Sequence, residues 1–288
     1  MDKTNLYKQF RALGHKKDDC SNTIFELMLD AANYANKNDI VLDLGAGECR
    51  YKFFFEHSNY ISLDFGKGDQ TWNYTKLDIM GDITNPKFIK DNSVDLCLNT
   101  STLEHLPEPF QFFDEIARIL KPGGRLYLYV PFLIAEHQEP YDYFRYTRYG
   151  LEHISRKSGL KILKITPSNK PLQTAIRLLT GGIRLAKPQN YGVKVILKAF
   201  RLIFEWFVTP IFDYLDRFSM NDSSPLCWIL IAEKEGERNN SMCQSPEGLL
   251  SILCCPDCKS ELNNTNDKAT CNKCGKTYTD TNQQISFE

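Results

Sequence analysis

No stretch of the 288-residue chain holds about 18 uninterrupted apolar residues, the length a helix needs to cross a bilayer. A membrane-spanning helix is therefore not expected. The opening residues, MDKTNLYKQF, have no basic start followed by an apolar run, so no secretory leader is expected and the chain reads as cytoplasmic. There is no basic excess: 35 Lys and Arg stand against 36 Asp and Glu, for a net charge of −1. That argues against a broad nucleic-acid surface, though a local patch stays open. No internal repeat is visible. Ten cysteines without a leader do not make a secreted disulfide framework. A chain that is 42% hydrophobic and 25% charged is not disordered, and its length suits one large domain with a small one.

What is present alternates between two periods. Ile24, Leu27, Met28 and Ala31 stand at helical spacing within residues 23–36, which predicts a helix. DIVLDL (39–44), YISLD (60–64), VDLCLN (94–99), RLYLYVP (125–131), LKILKITP (160–167) and PLCWILIAEK (225–234) read as strands. FQFFDEIARIL (110–120) reads as a helix stopped by Pro122-Gly123-Gly124, and GLEHISRKSG (150–159) as a helix with a glycine stop. Strands alternating with helices predict an α/β fold with a parallel, doubly wound sheet. Residues 236–247, GERNNSMCQSPE, are polar and read as a linker.

The first strand runs into Asp43, Gly45, Ala46 and Gly47. A dinucleotide loop wants GxGxxG, but Arg50 stands where the third glycine would be. A glycine pair alone also fits a plain strand-to-helix turn. Asp64 ends the next strand, 19 residues after Gly45, a distance that suits a carboxylate accepting from ribose hydroxyls. GDI (81–83) and NTSTLEHLPEP (99–109) follow. In this order VLDLGAG, the acid of SLD, GDI, DLCLNTSTLEHLPEP and LKPGGRLYLYVP resemble the class I S-adenosylmethionine-dependent methyltransferases of the type 11 subgroup. The resemblance covers roughly residues 37–166, with the last strand near 226–233. It implies a Rossmann-like sheet and S-adenosylmethionine as cofactor. Gly45, Ala46 and Gly47 would lie against its methionine part, and Asp43 would orient that loop and the ammonium group. Asp64 would hold the ribose, Asp82 the adenine amino group with Ile83 against the ring, and Asn99 would complete the set. Cys49 departs from the pattern, since many relatives have glycine there.

Methyl transfer from a sulfonium mostly asks the protein to align the nucleophile. A base helps only where the acceptor is a hydroxyl or a protonated amine. Methyltransferases of this fold that act on nucleic-acid or protein amide nitrogens often carry Asn/Asp-Pro-Pro-aromatic after the fourth motif's strand. Asn99-Thr100-Ser101-Thr102 stands there instead, which argues against such acceptors. Residues 131–154 are similar to a loop of type 11 methyltransferases found among surface-polysaccharide biosynthesis enzymes. The loop lies on the cofactor edge, where substrates of an open sheet bind. Its candidate acceptor contacts are Tyr141, Asp142, Tyr143 and Arg145. The alternative is that the aromatics pack the loop down while Asp142 and Arg145 form a local ion pair. His137 is the first candidate base and His105 the second, a structural histidine being the alternative for each.

Residues 171–220 form a long insertion before the last strand, with seven basic and three acidic residues. Val193, Ile196, Leu197, Phe200, Phe204 and Phe207 share one helical face, and Lys194, Lys198, Arg201 and Glu205 another. A lid, a subunit contact and a peripheral membrane contact through 193–208 all stay open, as does the oligomeric state.

Five cysteines crowd into residues 254–274. CPDC (255–258) and CNKC (271–274), twelve residues apart, can supply four thiolates to one structural zinc through Cys255, Cys258, Cys271 and Cys274. Cys255 is preferred over Cys254 because it begins the CPxC turn. Some 40 residues bury too little core to fold without a metal. LLSILCCPDCKSEL (249–262) with CGKTY (274–278) resembles the small zinc-ribbon activators of tRNA, rRNA and release-factor methyltransferases, although the Tyr-Pro and Gly-Ile-Pro ending of that family is missing. The expected organisation is a methyltransferase domain over 1–235, a linker over 236–247 and a zinc ribbon over 248–288, whose loss would leave cofactor binding by residues 43–82 largely intact. The expected activity is methyl transfer to a small or glycan-type acceptor, at oxygen or nitrogen. The alternatives are an RNA or protein methyltransferase with a fused zinc-ribbon activator, and a non-catalytic S-adenosylmethionine-binding scaffold. Nucleic acid is not an expected partner, and the expected place is the cytoplasm or the inner face of its membrane.

Overall fold

The computed structural model describes residues 2–15, 19–68, 71–186, 188–218, 223–238, 249–264, 268–281 and 284–287. Most of the expected linker, residues 239–247, lies outside them. Helices α1 (Lys3–Ala12) and α2 (Asp19–Tyr34) precede strands β1 (Ile40–Leu44), β2 (Asn59–Asp64), β3 (Ile79–Met80) and β4 (Val94–Thr100). Then follow α3 (Pro109–Ile119), β5 (Leu120–Pro131), α4 (Arg148–Lys157) and β6 (Leu160–Pro167). The insertion forms α5 (Pro171–Leu185), α6 (Tyr191–Ile203) and α7 (Thr209–Asp216), and β7 (Cys227–Lys234) closes the series. The cysteine module adds β8 (Leu262–Asn264), β9 (Lys268–Cys271), β10 (Thr277–Thr281) and β11 (Gln284–Ser286).

The strands join in the order β6-β7-β5-β4-β1-β2-β3-β11-β10-β9-β8. All five residues of β1 are buried, as expected of a central parallel strand covered on both faces. Ile40, Leu42 and Leu44 pack into the core under α3 and α4, while Val41 packs into the core under α1 and α2. Two expectations need correction. Pro122-Gly123-Gly124 does not stop α3: Leu120 is already extended and pairs with Val94, while the next pair is Leu96 with Arg125, so the tripeptide loops out within β5. Nor is the sheet wholly parallel. β7 runs antiparallel to both β5 and β6. Pro167, the last residue of β6, pairs with Trp228, so the insertion leaves and re-enters the sheet at one point, as a hairpin does.

The single helical face expected over 193–208 is also broken. A π-turn at Phe204–Val208 and Pro210 in the first turn of α7 separate α6 from α7. The insertion is tied at its root by Asp216, which is 1% exposed. Its carboxylate accepts from the amides of Leu172 (3.1 Å) and Gln173 (2.7 Å) at the start of α5, where negative charge is favoured. At the far end α6 buries no residue; Ile196, Trp206 and Phe207 are exposed. Among the described residues no helix is long and apolar enough to cross a membrane.

The cysteine module continues the sheet. Ile285 pairs with Ile79 and Ser286 with Met80 in parallel register, and Cys254 donates its amide to the Phe88 carbonyl at 2.7 Å. Ile252, Leu253, Leu262 and Ile285 join the core that holds Ile79, Phe88 and Ile89. The module therefore pairs with β3, which without it would end the parallel sheet as an open edge.

Candidate active site

A cavity of about 560 Å³ opens at the carboxyl ends of β1, β2 and β4, the end at which open α/β sheets bind ligands. One wall is the loop after β1. Gly45 and Gly47 hold φ of +85° and +53°, a region L side chains rarely adopt. A Cβ on Gly45 would overlap the Thr102 side chain, and one on Gly47 would stand 2.8 Å from the Trp72 ring. Cys49 also lies in the left-handed region, at +56°, so the residue that departs from the family pattern sits where glycine would be unstrained. Its thiol donates to the Lys76 carbonyl at 3.5 Å.

Asp64 ties two loops together. One carboxylate oxygen accepts from the Gly47 amide (2.9 Å) and the other from the Gly66 amide (2.7 Å). Burial raises its pKa, with the amides of Gly66 and Gly47 working against the rise. A carboxylate oxygen can accept twice, so each retains acceptor capacity toward the cavity. Asp82 turns the chain after β3 by accepting from the Thr84 amide at 2.8 Å and from the Thr84 hydroxyl. With Ile83 and Ala46 it lines the cavity. Two expected cofactor residues do not. Asp43 is 1% exposed and accepts from the Tyr60 hydroxyl at 2.5 Å behind the glycine loop. Burial lifts its pKa to about 7, with the Tyr60 hydrogen bond opposing the rise. Asn99 is fully buried and donates its side-chain amide to the Leu44 carbonyl at 2.8 Å. Both brace the strand ends.

The opposite wall joins the turn after β4 to residues 137–143. The Glu104 carbonyl accepts from the amides of Tyr143 (2.9 Å) and Phe144 (3.2 Å), so that loop is seated on the Leu103–His105 turn. His105, His137, Tyr141 and Tyr143 line the cavity. Asp142 and Arg145 are not among its lining residues. They form a two-pronged ion pair, both N···O distances 2.6 Å, that holds the Asp142 carboxyl down to about 2. Asp142 also accepts from the His137 amide at 2.8 Å, and Arg145 donates to the carbonyls of Ile134 and Ala135. The local ion pair anticipated as the alternative is the arrangement found. Glu104 has no counterpart among the expected site residues. It is 0% exposed, and among the described residues both its carboxylate oxygens lack a hydrogen-bond partner. Its Oε1 lies 3.6 Å from Nε2 of His137 and 3.7 Å from Nε2 of His105, and this carboxylate raises the pKa of His137. The adjacent acid and histidine in LEH were the only sequence signal for it. Trp72 and Gln138, which also line the cavity, gave none.

In the cysteine module Cys255 Sγ lies 3.7 Å from Cys274 Sγ, and Cys258 Sγ lies 3.4 Å from Cys271 Sγ. All four sulfurs fall within 4.8 Å of one another. Four thiolates about 2.3 Å from a zinc ion stand roughly 3.8 Å apart, so this set fits one tetrahedral metal. Cys254 turns away toward the Lys87 carbonyl, 3.5 Å distant.

Residues 42–128 match the family described as a methyltransferase domain. An uncharacterized methyltransferase of Mycobacteroides abscessus is 29% identical over 127 residues, 40% of this chain and 48% of the relative. One from Mycobacterium tuberculosis is 47% identical over 38 residues, 13% of this chain and 15% of the relative. The chain thus spans about half the length of the first of these, or less for the second. A solved complex between the Haloferax volcanii Trm112 methyltransferase activator and a methyltransferase is similar to 75% of this chain over 90% of its own, with 18% identity and a TM-score of 0.48. Residues 42–128 are thus similar to a methyltransferase domain, and they lie on a Rossmann-like α/β sheet.

Proposed function

We propose that this methyltransferase domain transfers a methyl group from S-adenosylmethionine to an oxygen or nitrogen of a small or glycan-type acceptor. The observation that carries the reading is the continuity of the cavity: Gly45, Asp64 and Asp82 line the same space as His105, His137, Tyr141 and Tyr143. Its volume lies in the range of small-molecule sites. Support for the cofactor lies in the glycine loop, where a Cβ on Gly45 or Gly47 has no room, and in the acceptor capacity left on Asp64 and Asp82. When bound, the cofactor supplies a methyl group on a positively charged sulfur, already a good leaving group. The chain's own residues align and shield. Gly45, Ala46 and Gly47 receive the amino-acid end, Asp64 the ribose hydroxyls, and Asp82 with Ile83 the base. Tyr141 and Tyr143 offer faces and hydroxyls to a polar ring. Asp142 and Arg145 fix the loop that presents them. The wall of Glu104, His105 and His137 stands beside the space left for the acceptor's reacting atom.

The reading extends to the module and the insertion. The four sulfurs support one structural zinc at Cys255, Cys258, Cys271 and Cys274, with no open position for catalysis. The exposed apolar side chains of α6, beside Lys194 and Lys198, favour a peripheral anionic membrane over a lid, because no described residue of 171–218 lines the cavity. The test of the activity is titration calorimetry of the full chain with S-adenosylmethionine. It should be followed by transfer of label from the methyl-tritiated cofactor to a panel of sugars, sugar nucleotides, RNA and proteins. Label passing to RNA or protein alone would sink the small-acceptor reading, and no cofactor binding would sink the enzyme reading.

A further inference from the structure

We propose that Glu104, His105 and His137 form a binding site for a first-row divalent cation of the Mn²⁺ class, on the acceptor side of the cavity. The inference deepens the methyltransferase reading and rests on it only for the role of the ion, not for its binding.

The starting point is an uncompensated carboxylate. Glu104 is 0% exposed, and among the described residues neither oxygen has a hydrogen-bond partner. Burying a carboxylate in that condition costs several kcal/mol unless something positive meets it. What meets it is a pair of imidazole nitrogens. His105 Nδ1 lies 2.6 Å from the Tyr141 carbonyl and His137 Nδ1 lies 3.2 Å from the Ala135 carbonyl. A carbonyl can only accept, so each Nδ1 carries the hydrogen and each neutral ring offers a bare Nε2 lone pair. Both Nε2 atoms face Glu104 Oε1, at 3.7 and 3.6 Å, and the two rings stand 4.9 Å apart. Three lone-pair groups thus converge with no donor among the described residues between them.

A proton on His137 answers this only in part. The 3.6 Å separation is too long for a hydrogen bond, and His105 Nε2, buried and without a partner, would still have none. A cation answers all three groups at once. The ligand atoms lie within 4.8 Å of one another. A point equidistant from three atoms so spaced is about 2.0–2.4 Å from each, the bonding distance of nitrogen and oxygen ligands to such ions. Two imidazoles and one carboxylate, with positions left open, suit Mn²⁺ or Fe²⁺ better than Mg²⁺. The surroundings are those of ligands held from behind: carbonyls fix both ring tautomers, and Asp142, clamped by Arg145, accepts from the His137 amide. Such outer contacts commonly orient metal-bound histidines.

The open positions face the space that the methyl acceptor would occupy. An acceptor hydroxyl bound there becomes more acidic. Its proton passes to water, the oxygen–methyl bond forms, the carbon–sulfur bond breaks, and the sulfonium leaves as a neutral thioether. Hydroxyl acceptors, above all those with a second oxygen within reach of the ion, are the class this site selects. His105 and His137 then act as ligands and not as bases.

The test uses the full-length protein with its cysteine module loaded with zinc, and Mn²⁺ alone as the probe. Free Mn²⁺ is read by electron paramagnetic resonance, since thiolate sites do not compete for this harder ion. The expected result is one Mn²⁺ per chain, with affinity weakened at least tenfold in both Glu104→Gln and His137→Ala. His137→Ala is the safer variant because His137 is half-buried, and it decides the matter if Glu104→Gln fails to fold. No Mn²⁺ bound by the wild type at millimolar concentration, or affinity unchanged in folded His137→Ala, overturns the proposal. S-adenosylmethionine binding, measured separately without Mn²⁺, keeps failure of this site distinct from failure of the methyltransferase reading.

Discussion

Replacing Asp64 by alanine tests the cofactor geometry most directly. The carboxylate accepts one amide from the glycine loop, Gly47 at 2.9 Å, and one from the loop after β2, Gly66 at 2.7 Å. Its remaining acceptor capacity faces the cavity and, in the proposed reading, the ribose. Alanine removes all three interactions. Water reaches this half-buried position and offsets part of the loss. Hydrogen bonds to a charged group are worth about 1.5–3 kcal/mol each, so the net loss in cofactor affinity should be about 1.5–3 kcal/mol, one such bond's worth after that offset. This corresponds to a Kd raised on the order of 10- to 150-fold. Titration calorimetry with S-adenosylmethionine and with its demethylated product gives the affinity, and a thermal melt without ligand reports what the clamp does for the fold. Asp64→Asn should fall between wild type and alanine, because its one carbonyl oxygen can take only one of the two amides well. Unchanged affinity in Asp64→Ala, with the melt also unchanged, would refute both the clamp and the ribose assignment.

Three further outcomes are expected. Cys258→Ser should abolish stoichiometric zinc, read by elemental analysis. Because Ile285 pairs with Ile79 beside the cofactor wall, it should also weaken S-adenosylmethionine binding, whereas intact binding would show that the module is an independent unit. Asp43 has its folded pKa raised to about 7 by burial, above the ordinary carboxylate value near 3.9. The protonated form is therefore the one the fold prefers, and stability should decline as pH rises from about 4 through about 7. Asp43→Asn should flatten that decline, gaining a few kcal/mol at pH 8 in denaturant melts; an unchanged pH profile would contradict the assignment. Replacing Ile196, Phe200 and Trp206 together by serine should abolish co-sedimentation with anionic vesicles and leave cofactor affinity alone, and absence of sedimentation in the wild type would remove the membrane reading.

The central sheet could be read from the residues alone. Short apolar runs such as DIVLDL and VDLCLN, bounded by turn residues, read as strands buried on both faces, and the acids and glycines at their ends mark the ligand edge. The CxxC pairs were equally legible, because two thiols three residues apart on a turn already point to one centre. Strand direction at the edge was not, because alternation of strand and helix carries no sign for a chain that leaves and returns at one point, as it does between Pro167 and Trp228. Nor could periodicity show that β11 would complete the edge at β3, since a three-residue strand acquires its meaning only from the partner it meets. The roles of charged residues were decided last and only in three dimensions. Asp142 and Arg145 look like ligand contacts in a string of aromatics, yet each is spent on the other. Glu104 looks like a surface acid beside a histidine, yet it is buried without a hydrogen-bond partner among the described residues. The cost of burying a charge depends on every group within a few ångströms, and only the fold, which brings residue 137 to residue 104, sets that distance.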